Sequence, residues 1–143
     1  MIRKVLVDFS TVVTKARLRL LRMHFESRVG HNGGNLSALD ILLCLFHYVQ
    51  GNTDRFVLSK GHAAGALYTA LWSVGRISED ELKEFHKDGT FLAGHPCAGW
   101  HKDIPFATGS LGHGLSLAVG MALAKKLQTQ EGNVYCLLSD GDL

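Results

Sequence analysis

Proline is nearly missing from this sequence: only Pro96 and Pro105 occur in 143 residues, both between Gly89 and Gly114. Cysteine is also sparse. Cys44, Cys97 and Cys136 are odd in number and far apart, which excludes a disulfide framework and a Cys-x-x-Cys metal pair. That usage points to a reducing cytosol. Charge of one sign is not in excess: 15 basic against 13 acidic side chains give +2, too little for an electrostatic nucleic-acid binder. Long apolar runs are absent too. The longest near-candidate, Ile41 to Phe46, stops well short of the roughly 18 residues a membrane span requires. The start, Met1 to Asp8, is too short in its apolar part for a secretory signal. What remains is globular in composition, 46% apolar and 20% charged, and long enough for one domain at about 150 residues per domain. Two residue types are plentiful: 8 histidines and 16 glycines.

The first helix is expected from about Phe9 to Phe25, with Phe9, Val12, Val13, Ala16, Leu20 and Met23 on one face. Lys15, Arg19 and Arg22 form a second face, read as a solvated surface. Three glycines in Gly30-His31-Asn32-Gly33-Gly34 exclude a regular helix there and favour tight turns. Ser37 and Asp40 resemble a capping box, so a second helix is expected from that point. It is apolar almost all round to Val49, which predicts full burial, and Gly51 stops it. Phe56 to Leu58 reads as a buried strand. After Ser59-Lys60-Gly61-His62 an Ala/Leu-rich helix runs to about Val74. Ser78 and Glu81 start another helix that Gly89 closes. From Gly89 to Gly114 lie six glycines, both prolines and three histidines, a loop long enough to be functional. A small-residue helix follows from about Leu115 to Gln128, then a second buried strand, Val134 to Leu138. Ser116, Ala118, Gly120, Ala122 and Ala124 permit close packing, either across an interface or only within the domain. Helices alternating with short apolar strands predict an α/β fold, a parallel sheet with flanking helices. Ligands in such sheets sit outside the carboxyl ends of the strands.

Four histidines directly follow glycine: His31, His62, His95 and His113. Each is presented from a loop and can donate, accept or exchange a proton near neutral pH. Convergent imidazoles suit a polyol or a phosphorylated substrate. Their spacing is not that of structural zinc, and no His-x-x-x-His occurs. His24, His47 and His101 read as structural. Asp140, in an Asp-Gly turn after the second strand, is either a plain turn residue or a carboxylate ligand for a hard cation beside a phosphate.

In order, Gly30-His31, Asp54-Arg55-Phe56-Val57-Leu58-Ser59-Lys60-Gly61-His62, Gly94-His95-Pro96, Thr108-Gly109-Ser110-Leu111-Gly112-His113-Gly114 and Ser139-Asp140-Gly141-Asp142 resemble the amino-terminal part of transketolases. The resemblance runs from about Lys15 to the end and is closest to split transketolases, whose halves are separate chains. It implies a pyrophosphate-type thiamine diphosphate-binding domain, of which residues 1–143 form the amino-terminal part. It also implies thiamine diphosphate with Mg2+ or another divalent cation such as Ca2+, and transfer of a two-carbon ketol unit from a ketose or ketose phosphate to an aldose. By resemblance His62 lies at the diphosphate, and Gly109, Ser110 and Leu111 offer backbone contacts to the aminopyrimidine. Asp140 ligates the metal, Gly141 admits the diphosphate, and His31 and His95 face the ketose. No role is implied for His113. The family also implies carbohydrate metabolism of the pentose phosphate kind in the cytoplasm. It implies a dimeric or other oligomeric assembly with a carboxyl-terminal half or subunit, and neither nucleic acid nor membrane as partner.

Asn32 stands where the family usually has proline, and Ser139 where it has glycine. His86 falls where many transketolases carry an arginine that grips the sugar phosphate, and an imidazole is a weaker clamp than a guanidinium fork. The expected substrate therefore differs at its phosphate end. The family's Asn metal ligand and its activating glutamate would lie beyond Leu143, so the 143-residue chain reads as a fragment, inactive alone. Two alternatives stand beside this reading: another thiamine enzyme, such as a deoxyxylulose-phosphate synthase or a 2-oxoacid dehydrogenase component, and a truncated module that only pairs with a partner chain.

Overall fold

The computed structural model describes residues 8–143; the apolar start read above as too short for a signal lies outside the described residues. Helix α1, Phe9–Ser27, begins at Asp8, whose carboxylate accepts from the Ser10 amide, and ends at Arg28 in a left-handed conformation. Its apolar stripe buries Ala16, Leu20 and Met23 as expected. The basic face is solvated at Lys15 and Arg22 as expected, and Arg19 is the exception. Arg19 is only 10% exposed and donates to Glu79, while Lys15 lies over the Trp72 ring.

Helix α2, Asn32–Cys44, departs from the sequence reading in two ways. It starts five residues earlier, so Gly33 and Gly34 lie inside its first turn. Ser37 does not cap it: its hydroxyl donates back to the Gly34 carbonyl, and Asp40 accepts from Arg17 of α1. Tertiary packing overrides the glycine penalty of about 1 kcal/mol each, because Ala38, Leu39, Leu42 and Leu43 are all buried against the other helices. Burial is one-sided, with Ile41 and Cys44 exposed. One π-turn, Leu45–Val49, continues the helix.

Strands β1, Arg55–Leu58, and β2, Val134–Leu137, pair in parallel with Leu58 opposite Leu137. Among the described residues the sheet has these two strands. Three residues of β1 are buried, but β2 is only half-buried along its length, against expectation. A 3-10 turn, Gly61–Ala63, leads into α3, Ala64–Ser73, whose first eight residues are all buried between α1 and α2. Leu20, Leu39, Leu42, Leu43, Leu67 and Leu71 make the centre of the core.

Helix α4, Glu79–Leu82, starts at the capping box Ser78/Glu81 as predicted, but ends after four residues in a run of turns. Residues 89–112 form no helix or strand and are pinned from within. The buried Tyr68 hydroxyl donates to the Ala93 carbonyl, Leu92 and Ile104 are buried, and Phe91 stacks on Trp100. Helix α5, His113–Leu127, packs on both strands, and only Gly114 and Ala118 are buried. Among the described residues no helix is long and apolar enough to cross a membrane.

Candidate active site

Parallel pairing puts the ends of β1 and β2 side by side, so the turns 59–63 and 138–142 leave the sheet at its carboxyl edge. The Ser59 amide donates to the Leu137 carbonyl at 2.9 Å and fixes that junction. The loop before α5 crosses the same edge. A Cβ on Gly61 would lie 2.6 Å from the Thr108 carbonyl oxygen, so the two backbones touch where only glycine fits.

Three of the four glycine-preceded histidines form a row. His31 and His62 rings stand 5.0 Å apart between centroids, and His62 and His95 rings 4.9 Å apart, both edge to face. Each ring arrives on a different segment. His31 precedes α2 in a left-handed conformation (φ 64°), His62 lies on the turn into α3, and His95 comes from the long loop. The His95 ring rests on Gly109, where a Cβ would lie 3.0 Å from its Cδ2. Its pKa is lowered from 6.5, first by desolvation and then by the charge His62 and His31 carry when protonated. Neutral His95 offers one donor and one acceptor nitrogen. His113, the first residue of α5, is exposed and belongs to no such row.

On the other side, Leu111 lies against Gly141, its Cδ1 3.2 Å from where a Cβ would stand. The segment 109–111 therefore spans from the imidazole row to the Asp140 turn. Asp140 and Ser110 are exposed there. Among the described residues no group of three His, Cys, Asp or Glu side chains could hold a metal ion, so Asp140 is one hard oxygen donor that needs ligands from elsewhere.

Two functional-edge residues escaped the sequence reading. Asp142 is buried and accepts from the Ser59 hydroxyl (2.6 Å), the Gly112 amide (2.8 Å), and the Ser139 amide and hydroxyl (both 2.7 Å). Burial pushes its pKa up, but those bonds together outweigh burial and hold it far below 3.8. One carboxylate thus ties β1, β2 and the loop before α5. Its signal was the Ser139-x-x-Asp142 spacing of a capping box. Asn35, 1% exposed, is the second. It stands at helical spacing from Ala38, Leu39 and Leu42, an amide on an otherwise apolar stripe.

His86 is exposed, has φ 61°, and packs on Gly94 beside His95. It also lines a groove of about 430 Å³ with Arg19, Arg22, Lys83 and Lys87, separate from the imidazole row. His24, His47 and His101 bond to Val29, Ser73 and Arg76 within the scaffold, as a structural role requires.

A family model described as the thiamine diphosphate binding domain of transketolase matches residues 10–143. Over 137 residues the chain is 38% identical to one subunit of the apulose-4-phosphate transketolase of Phocaeicola vulgatus, covering 90% of this chain and 48% of that protein. It is 37% identical over 123 residues to the 6-deoxy-6-sulfo-D-fructose transketolase subunit SqwG of Clostridium sp. (strain MSTE9), covering 80% of this chain and 45% of that one. The chain spans about half the length of these relatives. The solved structure of transketolase from Leishmania mexicana superimposes with a TM-score of 0.83 at 25% identity, over 95% of this chain and 23% of that one. The ordered motifs, the parallel strands with their shared carboxyl edge, and a family match over residues 10–143 agree: the chain belongs to the transketolase family and matches its thiamine diphosphate-binding domain.

Proposed function

We propose that this chain supplies the diphosphate and metal side of a transketolase site, and that a carboxyl-terminal half or subunit completes it. The assembled enzyme moves a two-carbon ketol unit from a ketose donor to an aldose acceptor in the cytoplasm. The observation that carries this reading is the row His31–His62–His95 lying beside the 109–111 segment, at the strand ends that also hold Asp140. The residues fit the group. The Thr108 hydroxyl is buried without a hydrogen-bond partner directly before Gly109, and among the described residues the three ring systems have no hydrogen-bond partner within the chain. All three cysteines are free, in keeping with a reducing compartment.

Thiamine diphosphate, when bound, supplies the nucleophilic carbon and the electron sink for cleaving the bond beside a ketose carbonyl. Asp140 would hold Mg2+ or Ca2+, and His62 and the Gly141 backbone would meet the diphosphate. Gly109, Ser110 and Leu111 present backbone to the aminopyrimidine end. His31 and His95 donate to or accept from the sugar oxygens, and neutral His95 can take a hydroxyl proton at its unprotonated ring nitrogen. At the far end of the sugar, His86 supplies an imidazole instead of a guanidinium fork, which favours a donor that is unphosphorylated or otherwise modified there. The two relatives are named for different sugars, apulose-4-phosphate and 6-deoxy-6-sulfo-D-fructose, in keeping with variation at that end.

Calorimetric titration with thiamine diphosphate tests the reading, with the partner half present and with or without Mg2+. Metal-dependent binding that is lost in Asp140→Ala is expected. Absence of binding under every one of these conditions would sink it.

A further inference from the structure

We propose that Asn35 is the positioning residue of the candidate site: one buried amide holds the carbonyls of both His31 and His62 and thereby sets the spacing of their rings. The proposal rests on the assignment of those two histidines to the site. Asn35 Nδ2 donates to the His31 carbonyl oxygen and to the His62 carbonyl oxygen, each at 3.0 Å. Its Oδ1 accepts from the Ala66 amide at 2.7 Å, and its own backbone amide donates to the His31 carbonyl at 3.0 Å.

The amide orientation follows from these partners. Turned over, its oxygen would face two carbonyls and its NH2 would face an N–H, leaving every contact repulsive. Both donor hydrogens are thus used, and no other side chain reproduces the set. Ionised aspartate keeps the shape but has no donor. Serine is too short to bridge two backbones. The space for the amide is provided by Gly65, where a Cβ would stand 3.1 Å from Asn35 Oδ1.

The consequence lies at the rings. His31 keeps a left-handed backbone that L residues adopt at a cost of roughly 1–2 kcal/mol. Its carbonyl takes two bonds from Asn35, one from the main chain and one from the side chain, which hold it in that conformation. The second side-chain donor ties it to the turn that presents His62. Asn35 bonds to the carbonyls of both residues, so it acts on the 5.0 Å pair through their backbones. The His62–His95 pair at 4.9 Å has no such tie, because His95 comes from the loop and rests on Gly109.

Nuclear magnetic resonance on the full chain, free of cofactor and metal, tests this directly. In the wild type the Asn35 side-chain amide should exchange with solvent about 100-fold more slowly than those of exposed Asn and Gln residues, since it is buried and doubly bonded. In Asn35→Ser the ring-to-ring cross-relaxation between His31 and His62 should be lost while that between His62 and His95 persists. A folded variant with both ring pairs unchanged would overturn the proposal. If the variant fails to fold, the wild-type exchange decides alone, and fast exchange of the Asn35 amide overturns it. Failure of the cofactor reading would show separately, as absent thiamine diphosphate binding by the wild type with its partner half.

Discussion

Helices α3 and α5 are both apolar and both follow glycine-containing turns at the same sheet edge, yet they end in opposite environments. Eight of the ten residues of α3 are buried, against two of the fifteen in α5. Leu115, Val119, Leu123 and Leu127 recur every four residues along α5 and stay 37–77% exposed. The difference is one of neighbours. α3 lies under α1 and α2, whereas α5 meets chiefly the two strands. Apolar composition states that a helix needs cover; only the fold states whether this chain supplies it. The imidazole row stands on the side of α2 and α3, with His31 and His95 themselves exposed, and Asp140 follows half-buried β2 on the side of α5.

The sharpest break of that contrast is a pair of truncations. Leu71→Ala should cost about 2–5 kcal/mol, as expected for a fully buried leucine. Leu123→Ala, at 54% exposure, should change stability by no more than about 0.5 kcal/mol. Urea unfolding of the two variants measures both. Equal losses would mean that α5 is covered in solution.

A smaller effect is expected on the side of α5, where Asp142 holds strands and loop together. Asp142→Asn keeps the shape but turns one acceptor oxygen into a donor facing donors, so it should cost about 1.5–3 kcal/mol. The pH dependence has a definite sign. A carboxyl held below its ordinary 3.8 adds stability that is fully present above that value and is lost as pH falls below it. Wild-type unfolding midpoints should therefore drop on acidification below about pH 4, with a shallower drop in Asp142→Asn. Parallel curves for the two proteins would assign the acid sensitivity to other groups.

How much of this was legible beforehand follows the same division. The extent of α1, the capping box of α4, the parallel order of the strands and three of the four Gly-His turns are local signals, and they held because periodicity and turn chemistry act locally, while His113 opens helix α5 instead. The start of α2 was misread because Gly33 and Gly34 are poor helix formers, and what overrides them is packing from α1 and α3. The burial of β2 was overstated for a related reason: its flanking helix is chiefly α5, with only Tyr135 and Leu137 packed against the main core. Of the site, the histidines were visible as residues but not as a row. Asn35 and Asp142 were missed because their bonds reach segments 27 and 83 positions away, separations that no sequence window contains.

On the side of α2 and α3, the row can be probed by its own titration. His95 is depressed first by desolvation and then by His62 and His31. His62→Ala should raise the His95 pKa toward 6.5 without reaching it, since His31 and much of the desolvation remain. Histidine proton shifts followed against pH measure this. An unchanged His95 titration would show that the rings do not interact electrostatically. Because the folded-state value lies below the ordinary one, protonating His95 opposes folding: its contribution is present above pH 6.5 and is lost as pH falls through the folded value.

The smallest structural effect is expected at the rim, where His86 meets both Gly94 and the neighbouring groove of mixed charge. His86→Arg leaves an exposed residue exposed, so stability should change by no more than about 0.5 kcal/mol. Function should respond far more than stability does. A guanidinium fork binds a phosphate through two parallel bonds, which an imidazole does not offer. With the partner half present, the variant should favour phosphorylated over unphosphorylated ketose donors by about tenfold in kcat/KM relative to wild type, the equivalent of one added charge-assisted bond. Unaltered donor preference would separate His86 from the sugar's far end and leave the groove without a substrate role.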